Sequence, residues 1–144
     1  MGANNEKSVL LVEDNIDDII ITEHMWQKAR IMNCLHVVRD GEEALDFIFK
    51  RGSLVDSPDI GLVLLDQSLP KLDGFDVLCE IRNNRSYREL PVIILSGAER
   101  EDVIHNAYEL GCDGFLLKPL TLDSLCEALN ICQRIIDFTL YQKM

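Results

Sequence analysis

The sequence predicts an α/β fold, in which five parallel strands form a doubly wound sheet and a helix follows each strand. Strand-like and helix-like segments alternate five times along the 144 residues. The third strand-like segment, Ile60 to Leu65, is nearly all apolar, as in a central parallel strand covered by helices on both faces. Asp66 follows it directly. This order places a carboxylate at the carboxyl end of a central strand, where open α/β sheets bind their ligands.

The first two strand–helix units have clear boundaries. Apolar runs predict strand one over Val9 to Val12 and strand two over Leu35 to Val38. Between them, apolar residues at helical spacing predict a helix over about Asn15 to Arg30. Asp40 precedes Glu43 by three residues, the spacing of a capping box, so the second helix should begin there.

The remaining units follow the longest predicted loop, Arg51 to Asp59. Pro91 stands at the mouth of strand four, Gly111 ends helix four, and Thr121 is a good N-cap for helix five. The elements after strand three are helix three over about Phe75 to Asn84, strand four over Val92 to Leu95, helix four over about Glu99 to Leu110, strand five over about Gly114 to Leu117, and helix five to about Phe138.

Length and composition indicate one domain over residues 1–144, with a core at about residues 8–138. Hydrophobic residues make up 47% of the chain and charged residues 27%, values typical of a soluble core. The 14 basic and 25 acidic side chains give a formal charge of −11, and no basic run is present, so nucleic acid is excluded as a partner. No apolar stretch approaches the roughly 18 residues that span a bilayer. We therefore expect a cytoplasmic protein without a membrane partner.

The cysteine pattern predicts free, buried thiols in a reducing compartment. The number is odd and no Cys-x-x-Cys pair occurs, which argues against a disulfide framework or a zinc site. The five cysteines are Cys34, Cys79, Cys112, Cys126 and Cys132.

Polar residues at four strand ends resemble the receiver domain of two-component response regulators. The motifs are Glu13-Asp14 after strand one, Asp66 in Asp-x-x-x-Pro-x-x-Asp-Gly after strand three, Ser96-Gly-Ala after strand four, and Lys118-Pro119 after strand five. The resemblance covers about Ser8 to Ile135. It implies the flavodoxin-like strand order 2-1-3-4-5. The text from Val38 to Phe47 and the long loop before strand three are similar to the small single-domain regulators that serve bacterial phytochromes.

The chemistry of such a site can be argued from its side chains. Transfer of a phosphoryl group to a carboxylate needs a metal, a cation for the equatorial oxygens and a hydrogen-bond donor. Asp66 would be the phosphoacceptor, Lys118 the cation and Ser96 the donor. Glu13, Asp14 and Asp66 would hold Mg²⁺, which prefers hard oxygen ligands. The resemblance adds the backbone carbonyl of Ser68 as a further ligand.

The resemblance also implies a switch formed by Ser96, Phe115 and Pro119. The hydroxyl would move toward the phosphoryl group, the aromatic ring would rotate into the space that it leaves, and a cis Lys118-Pro119 bond would aim the ammonium inward. Other roles stay open at this point. Ser96 is also a suitable cap for helix four, Phe115 a suitable core residue, and Lys118 a suitable solvated loop residue.

The resemblance implies a signalling protein whose only chemistry is its own phosphotransfer and autodephosphorylation. The phosphate donor would be a sensor histidine kinase, with a bacteriophytochrome among the candidates, or a phosphotransfer protein. After Ile136 only Asp137 to Met144 remain, so output is expected through contact with a downstream protein. Ile131, Ile135 and Phe138 form a second apolar stripe on helix five, which either supports a homodimer or lies under the chain's own C-terminus.

Rival functions fit the residues less well. A phosphatase that forms an aspartyl-phosphate with separate substrates, as in the haloacid dehalogenase superfamily, needs Asp-x-Asp at the nucleophile, and Ser68 stands at the second position. A flavodoxin-like FMN protein needs a phosphate loop after strand one, where Glu13 and Asp14 would repel the phosphate.

Overall fold

A computed structural model describes residues 7–132, with side chains described as far as residue 130. Five parallel strands form one sheet in the order β2-β1-β3-β4-β5, which confirms the predicted fold class and strand order. The strands are β1 (Ser8–Val12), β2 (Leu35–Val38), β3 (Ile60–Asp66), β4 (Val92–Ser96) and β5 (Gly114–Leu117).

A helix follows each strand, as predicted, and a short 3₁₀ turn at Gly52–Leu54 interrupts the long loop before β3. The helices are α1 (Ile16–Lys28), α2 (Gly41–Phe49), α3 (Gly74–Asn83), α4 (Glu101–Glu109) and α5 (Leu122–Cys132).

Local hydrogen bonds set where the helices begin. Asn15 caps α1, because its side chain accepts the backbone N–H of Asp18 at 3.1 Å. Asp40 caps α2 by accepting the N–H of Glu43 at 2.7 Å. The Glu43 carboxylate accepts the N–H of Arg39, at 3.5 Å, and not that of the N-cap Asp40, so the reciprocal bond differs by one residue from that of the predicted capping box.

Helix α4 begins two residues later than the predicted Glu99. The Ser96 hydroxyl accepts the backbone N–H of Ala98 at 3.1 Å, which closes a turn directly after β4. Arg100 then has extended backbone angles, with φ −118° and ψ 132°. The segment between β4 and α4 is therefore a loop at the carboxyl edge of the sheet.

The central strand β3 is buried from both faces. Leu62 and Leu64 pack on the side of α1 and α5, whereas Val63 and Leu65 pack on the side of α2, α3 and α4, and all four are 0% exposed. This arrangement matches the nearly continuous apolar run in the sequence. It also anchors the strand that ends in Asp66.

Four of the five cysteines lie among residues 7–130, and each is a free thiol. Only Cys112 is buried, whereas Cys34 is exposed and Cys79 and Cys126 are half-buried. The prediction of free thiols is confirmed for these four, and the prediction of general burial is wrong. Cys34 is exposed because it lies in the turn that leads into the edge strand β2.

The apolar stripe that suggested a homodimer cannot be compared with the structure. The side chain of Ile131 and the whole of Ile135 and Phe138 lie outside the described residues. Within residues 7–132, no helix is long and apolar enough to cross a bilayer.

Candidate functional site

Three acidic residues meet at the carboxyl edge of the sheet and form a carboxylate cluster (Glu13, Asp14 and Asp66). One oxygen of each lies within 4.8 Å of one oxygen of each of the others. Glu13 follows β1 and is 1% exposed, and Asp66 ends β3 and is 4% exposed. Asp14 is exposed. The cluster is thus buried on one side and open to solvent on the other.

Lys118 reaches into the carboxylate cluster from the end of β5. Its Nζ lies 3.0 Å from Glu13 Oε1 and 3.3 Å from Asp66 Oδ1. A third carboxylate, Asp18 on α1, lies 2.9 Å from the same nitrogen. The Lys118-Pro119 bond is cis, and the backbone N–H of Lys118 donates to the carbonyl of Ser96 at 2.8 Å. The ammonium points inward, so a solvated loop position for Lys118 is excluded.

Burial and crowding shape the charges of the site. Burial and, next, the neighbouring Asp66 raise the pKa of Glu13, Lys118 lowers it, and the net result is a pKa of about 7. Burial lowers the pKa of Lys118, but hydrogen bonds to Asp18 and Glu13 outweigh this effect and hold the pKa above its ordinary value. Lys118 therefore stays charged. Three carboxylates lie within 3.3 Å of its Nζ, those of Glu13, Asp18 and Asp66.

The carboxylate cluster suits a divalent cation. Its donors are hard oxygen atoms, burial and then the contact with Asp66 raise the pKa of Glu13, and one side is open for water ligands. Ser68 lies beside the cluster, where its backbone N–H is 3.4 Å from Asp66 Oδ1. These residues fit Mg²⁺ better than a soft metal, because no thiol or imidazole belongs to the group.

Ser96 lies at the end of β4, next to the strand that carries Asp66, and is 2% exposed. Its hydroxyl donates to the side-chain carbonyl of Gln67 at 2.7 Å and accepts the N–H of Ala98 at 3.1 Å. Ser96 therefore caps a turn, although it does not cap α4 itself.

The two other predicted switch residues lie on and after β5. Phe115 is half-buried and packs against the core on the α2–α3–α4 side of the sheet. Its strand neighbour on β4 is Ile94. Pro119 is exposed.

The loop between β3 and α3 is held close to the site. The backbone N–H of Gly74 donates to the carbonyl of Gln67 at 2.9 Å. A Cβ atom at Gly74 would collide with the Asp66 carbonyl oxygen and would lie 2.9 Å from the Cα of Gln67. Glycine is required here because α3 starts against the end of β3, which fixes the loop that borders Asp66.

The charged site residues come together at one edge with Ser68 and Ser96 beside them, whereas Phe115 packs in the core, and two further residues join the edge. Asp18 contacts Lys118, and Gln67 contacts Ser96. Sequence reasoning missed both. Asp18 stands beside Asp17 in the first turn of α1, and no local pattern distinguishes the two. Gln67 directly follows β3, and no local pattern marks an amide at that position as the partner of a serine on β4.

Fold and site together define a small α/β protein with an acidic, lysine-bearing site at the carboxyl edge of a parallel sheet. A family model described as the response regulator receiver domain matches residues 9–130. The chain belongs to the response regulator receiver family and is a receiver domain of two-component signalling.

Among curated proteins, the chain is similar to the response regulator Rcp1 of Synechocystis sp., with 36% identity over 123 residues that cover 85% of this chain and 84% of Rcp1. The Mn²⁺-bound crystal structure of Rcp1 superposes with a TM-score of 0.77 at 33% identity, and covers 94% of this chain and 99% of that one. A divalent metal thus binds to that relative.

Two other solved structures belong to phytochrome-associated regulators. The bacteriophytochrome response regulator AtBRR has a TM-score of 0.85 at 33% identity, with 97% of this chain and 100% of that chain covered. The phosphorylated cyanobacterial phytochrome response regulator RcpA has a TM-score of 0.78 at 31% identity, with 95% and 99% covered. The predicted resemblance to this group of regulators is confirmed.

Proposed function

We propose that this receiver accepts a phosphoryl group on Asp66 from a phosphohistidine and signals through protein contacts. The observation that carries the proposal is the position of Asp66, which is buried at the end of the central strand and 3.3 Å from the Lys118 ammonium. A buried carboxylate beside a fixed cation is suited to nucleophilic attack on a phosphoryl group, whose negative charge the cation can offset.

Mg²⁺ is the proposed cofactor. Glu13, Asp14 and Asp66 would hold it through side-chain oxygens, and Ser68 through its backbone carbonyl. When bound, Mg²⁺ supplies positive charge that offsets the repulsion between the carboxylates and the phosphoryl oxygens. The Mn²⁺ in the Rcp1 structure supports a divalent ion in a related receiver.

Asp66, Lys118 and Ser96 would each have a separate role in the phosphoryl transfer. An Asp66 oxygen attacks phosphorus, the phosphorus–nitrogen bond of the phosphohistidine breaks, and its electron pair leaves with the imidazole. The product is an acyl phosphate on Asp66. Lys118 would then turn from the Asp66 carboxylate to a phosphoryl oxygen, and the Ser96 hydroxyl would donate to another.

The proposed readout runs from Ser96 to β5. Ser96 and Lys118 are linked through the hydrogen bond from the Lys118 N–H to the Ser96 carbonyl. A shift of either side chain toward the phosphoryl group would therefore move the loop that contains Pro119 and would let Phe115 rotate. Phe115 has no hydroxyl, so its signal would rest on ring burial.

The proposed phosphate donor is a sensor histidine kinase of the bacteriophytochrome type. This partner is supported by the likeness to AtBRR, which is a bacteriophytochrome response regulator, and to RcpA, which is a phytochrome response regulator. A phosphotransfer protein would meet the same chemical requirement, because it also presents a phosphohistidine.

The test is intact mass spectrometry after incubation with acetyl phosphate and Mg²⁺. The wild type should gain one phosphoryl group, chelation of Mg²⁺ should prevent the gain, and Asp66→Asn should gain none. Asp73→Asn is the matched control, since it removes the same charge nearby while asparagine can still cap α3. The proposal fails if Asp66→Asn is stably labelled at another residue.

A further inference from the structure

We propose that Gln67 is a positioning residue that holds the Ser96 hydroxyl away from the phosphoryl site until Asp66 is phosphorylated. This inference rests on the proposed function, because it concerns how the same site changes state. Within residues 7–130, the Gln67 side chain shows no hydrogen bond or ion pair with the carboxylate cluster or with Lys118.

The Ser96 hydroxyl is fully engaged in the structure. It donates to Oε1 of Gln67 at 2.7 Å, the ordinary length for a bond between two oxygens, and its oxygen accepts the N–H of Ala98 at 3.1 Å. The only other acceptor within reach in the described structure is the Ala98 carbonyl, at 3.4 Å. Because Ser96 is 2% exposed, bulk water does not compete for the hydroxyl.

A serine hydroxyl carries one proton and can donate one strong hydrogen bond. The proton that points to Gln67 cannot at the same time point to a phosphoryl oxygen on Asp66. Binding of a phosphoryl group by Ser96 therefore requires the Ser96–Gln67 bond to break. The two bonds are alternatives, and their competition sets how readily the site adopts its phosphorylated arrangement.

The backbone of Gln67 is fixed, so any movement of Gln67 that releases Ser96 must come from its side chain. Its N–H donates to the Leu95 carbonyl at 2.8 Å, and its carbonyl accepts the N–H of Gly74 at 2.9 Å. These bonds tie the residue to β4 on one side and to the start of α3 on the other. The side chain itself is half-buried and borders an open cleft lined by Asp14, Ser68 and Asp73, into which the amide can turn.

The competition has a measurable size. A net hydrogen bond contributes roughly 0.5–1.5 kcal/mol, so loss of the Gln67 acceptor should strengthen phosphoryl binding by about 2- to 12-fold. This gain in affinity should require the Ser96 hydroxyl, because Gln67 acts only by accepting the proton of that hydroxyl.

The experiment is a double-mutant cycle with beryllofluoride, a tetrahedral mimic of a carboxylate-bound phosphoryl group, at saturating Mg²⁺. Apparent dissociation constants are measured by NMR titration for the wild type, Gln67→Met, Ser96→Ala and the double variant. Methionine is similar in length to glutamine and lacks the carbonyl acceptor. Gln67→Leu, which also lacks it, is used if the methionine variant does not fold, and Gln27→Met on the exposed face of α1 is the matched control.

Gln67→Met should bind beryllofluoride about 2- to 12-fold more tightly than the wild type and should have no effect in the Ser96→Ala background. Gln27→Met should leave the affinity unchanged. An equal effect of Gln67→Met in both backgrounds, or no effect in either, would overturn the role of Gln67 while the proposed function stands. A folded wild type that binds no beryllofluoride with Mg²⁺ would overturn both.

Discussion

At the level of single residues, Asp18 draws Lys118 toward the first turn of α1. The ammonium lies 2.9 Å from Asp18 Oδ2, a shorter distance than the 3.3 Å to Asp66 Oδ1. An arriving phosphoryl group must compete with this contact. Asp18→Asn should therefore tighten beryllofluoride binding by about 3- to 10-fold, less than a fully buried charged hydrogen bond would give, because the Asp18 side chain is 27% exposed.

Asp17→Asn separates this contact from the general effect of charge. Asp17 is the exposed neighbour of Asp18 in the same turn of α1, so its replacement removes the same charge without touching Lys118. Binding to the Asp17 variant should stay within about twofold of the wild type at 0.15 M salt, where exposed charges are screened. If both variants bound beryllofluoride more tightly by the same factor, the cause would be the net charge of α1 and not the contact between Asp18 and Lys118.

Residues at strand ends could be predicted from the sequence, whereas Asp18 and Gln67 could not. The ends of parallel strands meet at one edge whatever the details of packing, so Asp66 and Lys118 follow from the order of elements alone. The direction of Asp18 depends on the rotation of α1, which the burial of Ile19 and Trp26 in the core fixes. The Gln67 contact depends on one side-chain rotamer, on which sequence patterns carry no information.

At the level of elements, α2 allows the contribution of a predicted N-cap, Asp40, to stability to be measured. Asp40 accepts the N–H of Glu43 at 2.7 Å. Asp40→Ala should lower the free energy of unfolding by about 1 kcal/mol, because the N–H of Glu43 in the first turn of α2 loses its acceptor. Asp40→Asn should cost much less, since asparagine caps equally well, although it loses the surface pair with Lys71 at 3.6 Å. Urea unfolding monitored by circular dichroism measures both.

Asp56→Ala is the control for the Asp40 variants. Asp56 is exposed in the loop before β3 and caps no helix. Its replacement should change the free energy of unfolding by less than about 0.5 kcal/mol. If Asp56→Ala lowered the free energy of unfolding as much as Asp40→Ala, the measurement would report general charge effects, and the cap would contribute no stability of its own.

Element types were predictable, but the start of α4 and the strand order were not contained in local patterns. Helix α4 starts late because the Ser96 hydroxyl takes the Ala98 N–H, a bond that follows from the loop conformation and not from helix propensity. The alternation of strands and helices fixes the number of units without fixing how they wind. The order 2-1-3-4-5 was expected only through the resemblance to receivers, and the register of β3 with β1 and β4 confirms it.

At the level of the whole molecule, the carboxylate cluster couples the charge of the protein to its stability. The chain carries a formal charge of −11, and folding brings Glu13 and Asp14 against Asp66 although α1, β2 and α2 separate them in the chain. Burial, with the contact to Asp66 as the next contribution, raises the pKa of Glu13, so keeping the cluster fully charged is costly in the folded protein without a counter-ion. The unfolded chain does not assemble the cluster. A cation that binds the cluster must therefore stabilise the folded state alone.

Mg²⁺ should accordingly raise the stability of the protein, by about 1.4 kcal/mol when its concentration is ten times its dissociation constant. Thermal unfolding in MgCl₂, compared with NaCl of equal ionic strength, separates binding at the cluster from general screening of the net charge. Asp14→Asn should keep the response to NaCl and lose most of the extra response to Mg²⁺, because it removes one charged ligand and leaves Asp66 in place. If the wild type responded identically to both salts, or if Asp14→Asn kept the full response to Mg²⁺, the cluster would not be the metal site, and the apparent fit of its three carboxylates to a divalent ion would reflect crowding alone.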